Sequence, residues 1–309
     1  MNDHPLVRQC FQAVAKQPTA KLKVQTFKIV FRNAVKQFLN SSVRILGNNS
    51  VGRYLYGQII NSEMTRVQRV THCGADLMFS VPNALSRFRA NTFSTKEPET
   101  LDWVDRMPRG SVLWDIGANV GLYACYAAKS RGCRVFAFEP SVFNLELLAR
   151  NIFLNRLTEL VTIVPLPLSE QLALSTLRMT STDWGGALST FGESYGHDGE
   201  PIRKVFEFPT VGLSMVDAVT LLKIPAPDYI KMDVDGIEHL ILKGGMPILR
   251  RIKGALIEIN DRFAAQAEGA TEYLRNAGLT LEQKTHADHF DSYEGAERYT
   301  FNQIWGRTP

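Results

Sequence analysis

The residues best suited to chemistry fall into three short runs. In the first, Val112-Leu113-Trp114-Asp115-Ile116-Gly117-Ala118-Asn119-Val120-Gly121, an apolar strand enters a tight glycine turn and then a helix. Gly117 lets the backbone approach a ligand with no Cβ in the way, and Gly121 lets the new helix pack closely on the strand. Asp115 offers an acceptor for an amino group or for turn amides. In the second run, Phe136-Ala137-Phe138-Glu139-Pro140, Glu139 ends another apolar strand 22 residues after Gly117. A carboxylate at that place takes the two ribose hydroxyls of an adenosine ligand. The glycine spacing is not the GxGxxG that seats a pyrophosphate on a helix N-terminus. A phosphate-free nucleotide carrying cationic groups fits better, namely S-adenosylmethionine. The expected contacts are Asp115, Gly117, Asn119, Gly121 and Glu139.

The third run is Ile230-Lys231-Met232-Asp233-Val234-Asp235-Gly236-Ile237-Glu238. Ligands of an open α/β sheet sit beyond the carboxyl ends of its strands, and Asp233 and Asp235 fall there. Methyl transfer from a sulfonium is an in-line displacement whose rate rests largely on positioning. A hydroxyl acceptor needs its proton removed as attack develops, a task for a carboxylate worth on the order of 10²–10⁴-fold. Asp233 is the first candidate. Lys231 alternates with it along the strand, either to steady an alkoxide or to form a buried ion pair. Asp235 borders the acceptor or charges the next helix turn, the role preferred for Glu238. Asp233, Asp235 and Glu258 together could hold a hard divalent cation, but carboxylates at strand ends are commonplace and the metal-free reading is preferred. His197, His239 and His286 are further candidate bases, with His197 preferred. Trp184 either stacks on the acceptor or plugs its own glycine-rich loop.

These groups need a scaffold, and the chain supplies one from Ser111 onward. Strands are expected at Val112–Ile116, Arg134–Phe138, Val161–Leu168, Tyr229–Val234, Ala255–Ile259, Leu279–Gln283 and the terminal FNQIWG, with helices between them. That βαβα order implies a mostly parallel sheet covered on both faces. Upstream, the segments YGQII, TRVQRV and DLMFSV read as strands around a Gly74-Ala75-Asp76 turn. Pro98–Arg109 reads as a short helix with Trp103 and Val104 turned inward. The stretch from Gln171 to Thr210, rich in Gly, Ser and Thr, reads as a long binding loop or lid. Three parts result: a basic helical extension over 1–62, a small β and helical cap over 63–110, and the catalytic domain over 111–309 with an insertion at about 171–210.

At these residues the chain resembles the FkbM-type methyltransferases, a branch of the class I S-adenosylmethionine-dependent enzymes. The likeness runs from about Thr95 to Asn260. It is carried by Lys96-Glu97-Pro98-Glu99-Thr100, by Asp115 to Gly121, by Ile230 to Glu238, and by Glu258 in Leu256-Ile257-Glu258-Ile259. Met232 and Val234-Asp235 stand where the family commonly has Ile and Val-Glu. The resemblance implies a seven-stranded Rossmann-like sheet with an antiparallel last strand, and O-methylation of a hydroxyl on a sugar, glycan or other small molecule. In this architecture Ser169, after the third strand, would meet the adenine end.

The composition, 45% hydrophobic and 21% charged over 309 residues, is that of an ordinary globular protein. The first 62 residues carry nine basic side chains against Asp3 alone; the remainder carries 26 basic against 30 acidic. An acidic catalytic half argues against a phosphate-tracking groove and hence against a nucleic-acid acceptor. In the extension, Val24, Phe27, Phe31, Ala34 and Phe38 recur at helical spacing beside Lys28, Arg32 and Lys36. That helix either packs on the main domain or docks to an anionic membrane or a protein partner. Four cysteines without metal spacing, and no signal peptide or membrane span, point to a reducing, cytoplasmic setting. Oligomeric state is left open.

Overall fold

The computed structural model describes residue 37, residues 41–285 and residues 296–307. The amphipathic stripe from Val24 to Phe38, and His286, lie outside the described residues. Contacts divide the chain into two units, Met1–Ser62 and Glu63–Pro309. In the first, residues 41–47 are helical. Helix α1 (Ser50–Met64) follows, its Gly52 amide donating to Asn49 Oδ1 at 2.7 Å. Tyr56-Gly57-Gln58-Ile59-Ile60, expected as a strand, is therefore helical. A short apolar run carries no period of its own, and the capped segment ahead of it decides.

The second unit opens with a hairpin, β1 (Val67–His72) and β2 (Ala75–Ser80), paired antiparallel. Its two-residue turn is Cys73-Gly74, both with positive φ, the primed geometry that matches strand twist. Three short helices follow: α2 (Ala84–Asn91), α3 (Phe93–Lys96) and α4 (Pro98–Asp105). Trp103 and Val104 are buried in α4, and Pro98 at its start needs no amide partner.

The main sheet has seven strands: β3 (Val112–Ile116), β4 (Arg134–Phe138), β5 (Val161–Val164), β9 (Tyr229–Met232), β10 (Gly254–Asn260), β11 (Thr280–Thr285) and β12 (Thr300–Gly306). Their order is β11-β12-β10-β9-β3-β4-β5, parallel from β10 through β5, with β12 antiparallel to both of its neighbours. Both faces are covered, as the residue pattern required. On one face Leu113, Val135, Leu256 and Ile304 pack with α5 (Leu122–Arg131), α6 (Val142–Leu154), α4 and β2. On the other, Trp114, Phe136, Ile230, Ile257 and Trp305 pack with α7 (Met215–Thr220), α8 (Glu238–Gly244) and α10 (Ala264–Asn276), the short α9 (Met246–Leu249) lying between the last two in sequence.

The hairpin is joined to α6 through its backbone. Asn151 Oδ1 accepts from Ser80 N at 2.7 Å, and Asn155 both accepts from Met78 N and donates to Met78 O, each at 2.8 Å. Asparagines one helical turn apart thus satisfy the outer edge of β2, which would otherwise bury unpaired peptide groups.

The insertion is not a plain loop. It forms a three-stranded antiparallel sheet, order β7-β6-β8, from β6 (Ala173–Met179), β7 (Ser189–Phe191) and β8 (Phe206–Gly212). Only Thr180–Leu188 and the 192–205 stretch remain as connecting segments.

Candidate active site

Because β3 and β9 are neighbours while their connections leave in opposite directions, a crevice opens at their carboxyl ends, the topological switch point of the sheet. A cavity lies there. Its walls include Gly117, Asn119, Phe138, Glu139, Leu166, Pro167, Leu168, Gly186, His197, Asp233, Asp235 and Glu258. A smaller cavity adjoins it, sharing Arg89, Lys96, Gly117, Asn119 and Asp233 and adding Glu97, Tyr123 and Lys231.

The glycine turn is shaped by its neighbours. The Gly117 and Ala118 amides both donate to Phe138 O, at 2.9 and 3.0 Å. Gly117 has φ 82°, and a Cβ there would lie 1.9 Å from Asp233 O. Only glycine permits this approach of β3 to β9. Gly121 likewise has φ 79°, and a Cβ there would strike Leu148 on α6, so its part is packing rather than lining the cavity.

Glu139 is 5% exposed and held by backbone: Oε2 accepts from Asn119 N at 2.7 Å and Oε1 from Ser141 N at 2.8 Å. Burial pushes its carboxyl up to about 7, against the pull of those amides. Asn119, itself left-handed at φ 50°, donates through Nδ2 to Gly186 O at 2.8 Å. The Trp184–Gly186 backbone is in fact gripped by four side chains through five hydrogen bonds: by Asn119, by Asn144 (Nδ2 to Gly186 O, 3.0 Å; Oδ1 from Gly185 N, 3.0 Å), by Asn83 (Nδ2 to Trp184 O, 2.9 Å) and by Arg89 (Nε to Gly185 O, 2.9 Å).

At the other end of the cavity stand the carboxylates. Asp233 is partly exposed and lies 3.5 Å from Lys231 Nζ, a side chain only 4% exposed. Burial alone would lower the Lys231 ammonium, but Asp233, Asp115, Glu97 and Glu258 together raise it, so it stays charged. Asp235 has φ 63° and accepts from Leu188 N at 2.7 Å and Ser189 N at 3.2 Å, tying β7 to the end of β9. Burial, with Asp233 and Glu238 nearby, pushes Asp235 up to about 8. Burial, then Asp233 and Glu97, raise Glu258 well above the usual carboxylate range. One oxygen each from Asp233, Asp235 and Glu258 lie within 4.8 Å of one another, so the trio is also a candidate cation cluster. Glu238 serves the backbone: it accepts from Val234 N and Gly236 N at 3.1 and 3.0 Å and from Gln266 Nε2, which fixes the turn after β9.

Besides Gly121, three expected contacts lie outside both cavity walls. Asp115 is 1% exposed and lines neither cavity; it faces Lys231 across the β3–β9 register and lies below the turn, not in it. Ser169 is not in the wall, because β5 ends at Val164 and the chain then follows Leu213; Leu166, Pro167 and Leu168 take its place. The Trp184 side chain does not line the cavity; its carbonyl is an anchor for Asn83. Of the histidines, His197 reaches the wall and its buried Nε2 has no hydrogen-bond partner, while His239 packs edge-on against Phe263. Sequence reasoning gave no role to Arg89 or Lys96. Lys96 pairs with Glu97 at 2.7 Å and faces both cavities; its only signal was its place in the Lys96–Thr100 run.

A sheet of this order, with a glycine turn after its first strand and an acid after its second, defines a class I methyltransferase fold. The model of the methyltransferase FkbM domain matches residues 115–281, more than half of the chain, and the chain belongs to that family. A hexuronic acid methyltransferase, AglP, of Haloferax volcanii is 28% identical over 174 residues, which are 55% of this chain and 64% of the relative. The match thus spans slightly less than two thirds of that relative's length. Among solved structures, an FkbM methyltransferase from Methylobacillus flagellatus is 16% identical with a TM-score of 0.43, covering 65% of this chain and 44% of that one. The TYW2 protein of Pyrococcus horikoshii, in complex with MeSAdo, is 12% identical with a TM-score of 0.41, covering 77% and 69%.

Proposed function

We propose that this protein transfers the methyl group of S-adenosylmethionine to a hydroxyl of a sugar or glycan, with Asp233 as the general base. One observation carries the reading: a single cavity joins a fixed, buried Glu139 at one end to a cluster of carboxylates at the other, across the Gly117 turn. The residues fit the donor. Glu139 suits the ribose hydroxyls and Phe138 and Leu166–Leu168 the adenine, while Gly117, pressed against Asp233 O, keeps its backbone in the walls of both cavities. The smaller cavity, with Arg89 and Asn119 in its wall, suits the amino-acid end. When bound, the donor supplies an electrophilic methyl carbon on a cationic sulfur.

The chain's own residues do the rest. Asp233, exposed to both cavities, accepts the acceptor's proton as its oxygen attacks. Lys231 holds Asp233 in place through the 3.5 Å ion pair. The latched insertion roofs the adenosyl end and limits water, which would compete for the methyl group. The AglP likeness favours a uronic acid as the acceptor, and Lys96 is a cation in the cavity wall suited to its carboxylate.

Calorimetry with S-adenosylhomocysteine, followed by transfer of labelled methyl to uronic-acid and neutral oligosaccharides, tests the reading. Binding of the nucleotide with label appearing on a sugar oxygen is expected. Absence of any binding heat would sink it, and label on a protein or nucleic acid would replace the acceptor.

A further inference from the structure

Away from the methyl-transfer cavity, the β1–β2 hairpin carries a group of metal-ligating side chains. A ring nitrogen of His72, Cys73 Sγ and a carboxylate oxygen of Asp105 all lie within 4.8 Å of one another, and none of the three lines either cavity. Consecutive strand residues normally point to opposite faces. Here the left-handed Cys73, at φ 45°, breaks that alternation and brings its thiol to the side of its neighbour.

Each member is arranged as a ligand would be. His72 Nδ1 lies 3.1 Å from Ser94 Oγ, whereas its Nε2 is buried with no hydrogen-bond partner. A ring nitrogen held by an outer group, with the other left bare, is the pattern of a metal-ligating imidazole. The ring is also pinned edge-on against Phe93 and Tyr126, at 6.1 and 5.4 Å between centroids. Asp105 is oriented by Tyr126, whose hydroxyl reaches Oδ1 at 2.8 Å and Oδ2 at 2.9 Å. Cys73 is exposed, which gives an ion a way in.

We infer that His72, Cys73 and Asp105 form a binding site for a thiophilic divalent cation, zinc being the one their chemistry fits best. Thiolate and imidazole select zinc over magnesium or calcium, and three protein ligands leave a fourth tetrahedral position for water. Binding would release the Cys73 thiol proton, and thiolate plus carboxylate balance the ion's two charges. Because the ligands come from the hairpin turn and the end of α4, the ion would tie the cap together without touching the transfer chemistry.

Cobalt(II) titration of the metal-free full chain tests this, since a cobalt–thiolate bond gives an intense near-ultraviolet charge-transfer band. One equivalent should produce the band, and zinc should displace it. Cys73→Ser should abolish it, and His72→Gln should weaken binding strongly. Tyr126→Phe, which removes only the orienting hydroxyl, should weaken it roughly 10–100-fold. Nucleotide binding by Cys73→Ser should match the wild type, which shows that the variant is folded. A wild type with no thiolate band, or a band of unchanged affinity in Cys73→Ser or His72→Gln, overturns the proposal.

Discussion

At the scale of single residues, Glu139 and Asp233 differ in environment as their proposed roles require. Both Glu139 oxygens are already engaged by backbone amides, so the carboxylate is in position before any ligand arrives. Its remaining lone pairs are what a ribose would meet. Replacing it with Gln removes the charge and sets an NH2 donor against one of the two amides, and charge-assisted bonds of this kind are worth about 1.5–3 kcal/mol. Glu139→Gln should therefore weaken S-adenosylhomocysteine binding by roughly 10–100-fold in calorimetry. Asp233 is the reverse case, partly exposed and in both cavities. Asp233→Asn should hold nucleotide affinity near wild type and slow single-turnover methyl transfer by about 10²–10⁴-fold. An Asn variant with full turnover would remove the base from the scheme.

Among elements, the insertion is the part whose sequence was least readable. The strand–turn–helix from Val112 to Arg131 and the acid after β4 were legible because each is set by neighbours in the chain: an apolar run, a glycine that must turn, an acid that ends the strand. The sheet of β6, β7 and β8 was not, because Ala173–Met179 finds its partner at Phe206–Gly212 across more than twenty intervening residues. Ser169 and the Trp184 side chain fall outside the cavity wall for the same reason, since both depend on how that sheet sits against β5 and α2. Asp235 was read as an acceptor contact or a helix charge, yet it accepts from the Leu188 and Ser189 amides. Asp235→Ala should therefore speed hydrogen exchange at those two amides far more than at Thr210 or Val211 of β8, as read by exchange mass spectrometry. Uniform protection in the variant would show that Asp235 does not hold the insertion.

Across the whole molecule, the buried carboxyls set a dependence of stability on pH. Burial pushes Glu139 and Glu238 up to about 7 and, with Asp233 and Glu238 adding to it, Asp235 up to about 8. Folding raises all three above their ordinary values of 4.5, 4.5 and 3.8. Between those values the native state binds more protons than the unfolded chain, so stability falls as pH rises. Their contribution is full below about pH 4 and is lost through pH 7 to 8. Glu97 has the opposite sign: burial would raise it, but Lys96 and Lys231 hold it down to about 2, so its contribution is present above 4.5 and lost only in acid. The ligand-free protein should then melt at a higher temperature near pH 5.5 than near pH 8, and Glu139→Gln should shrink that difference. Nucleotide should narrow it too, because ribose hydroxyls donated to an ionised Glu139 offset the cost of burying its charge. Differential scanning fluorimetry across that range, with and without S-adenosylhomocysteine, reads both effects. A melting temperature that climbs steadily from pH 5.5 to 8 would mean that Glu139 and Asp235 are solvated in solution, and that the roof over the cavity is open.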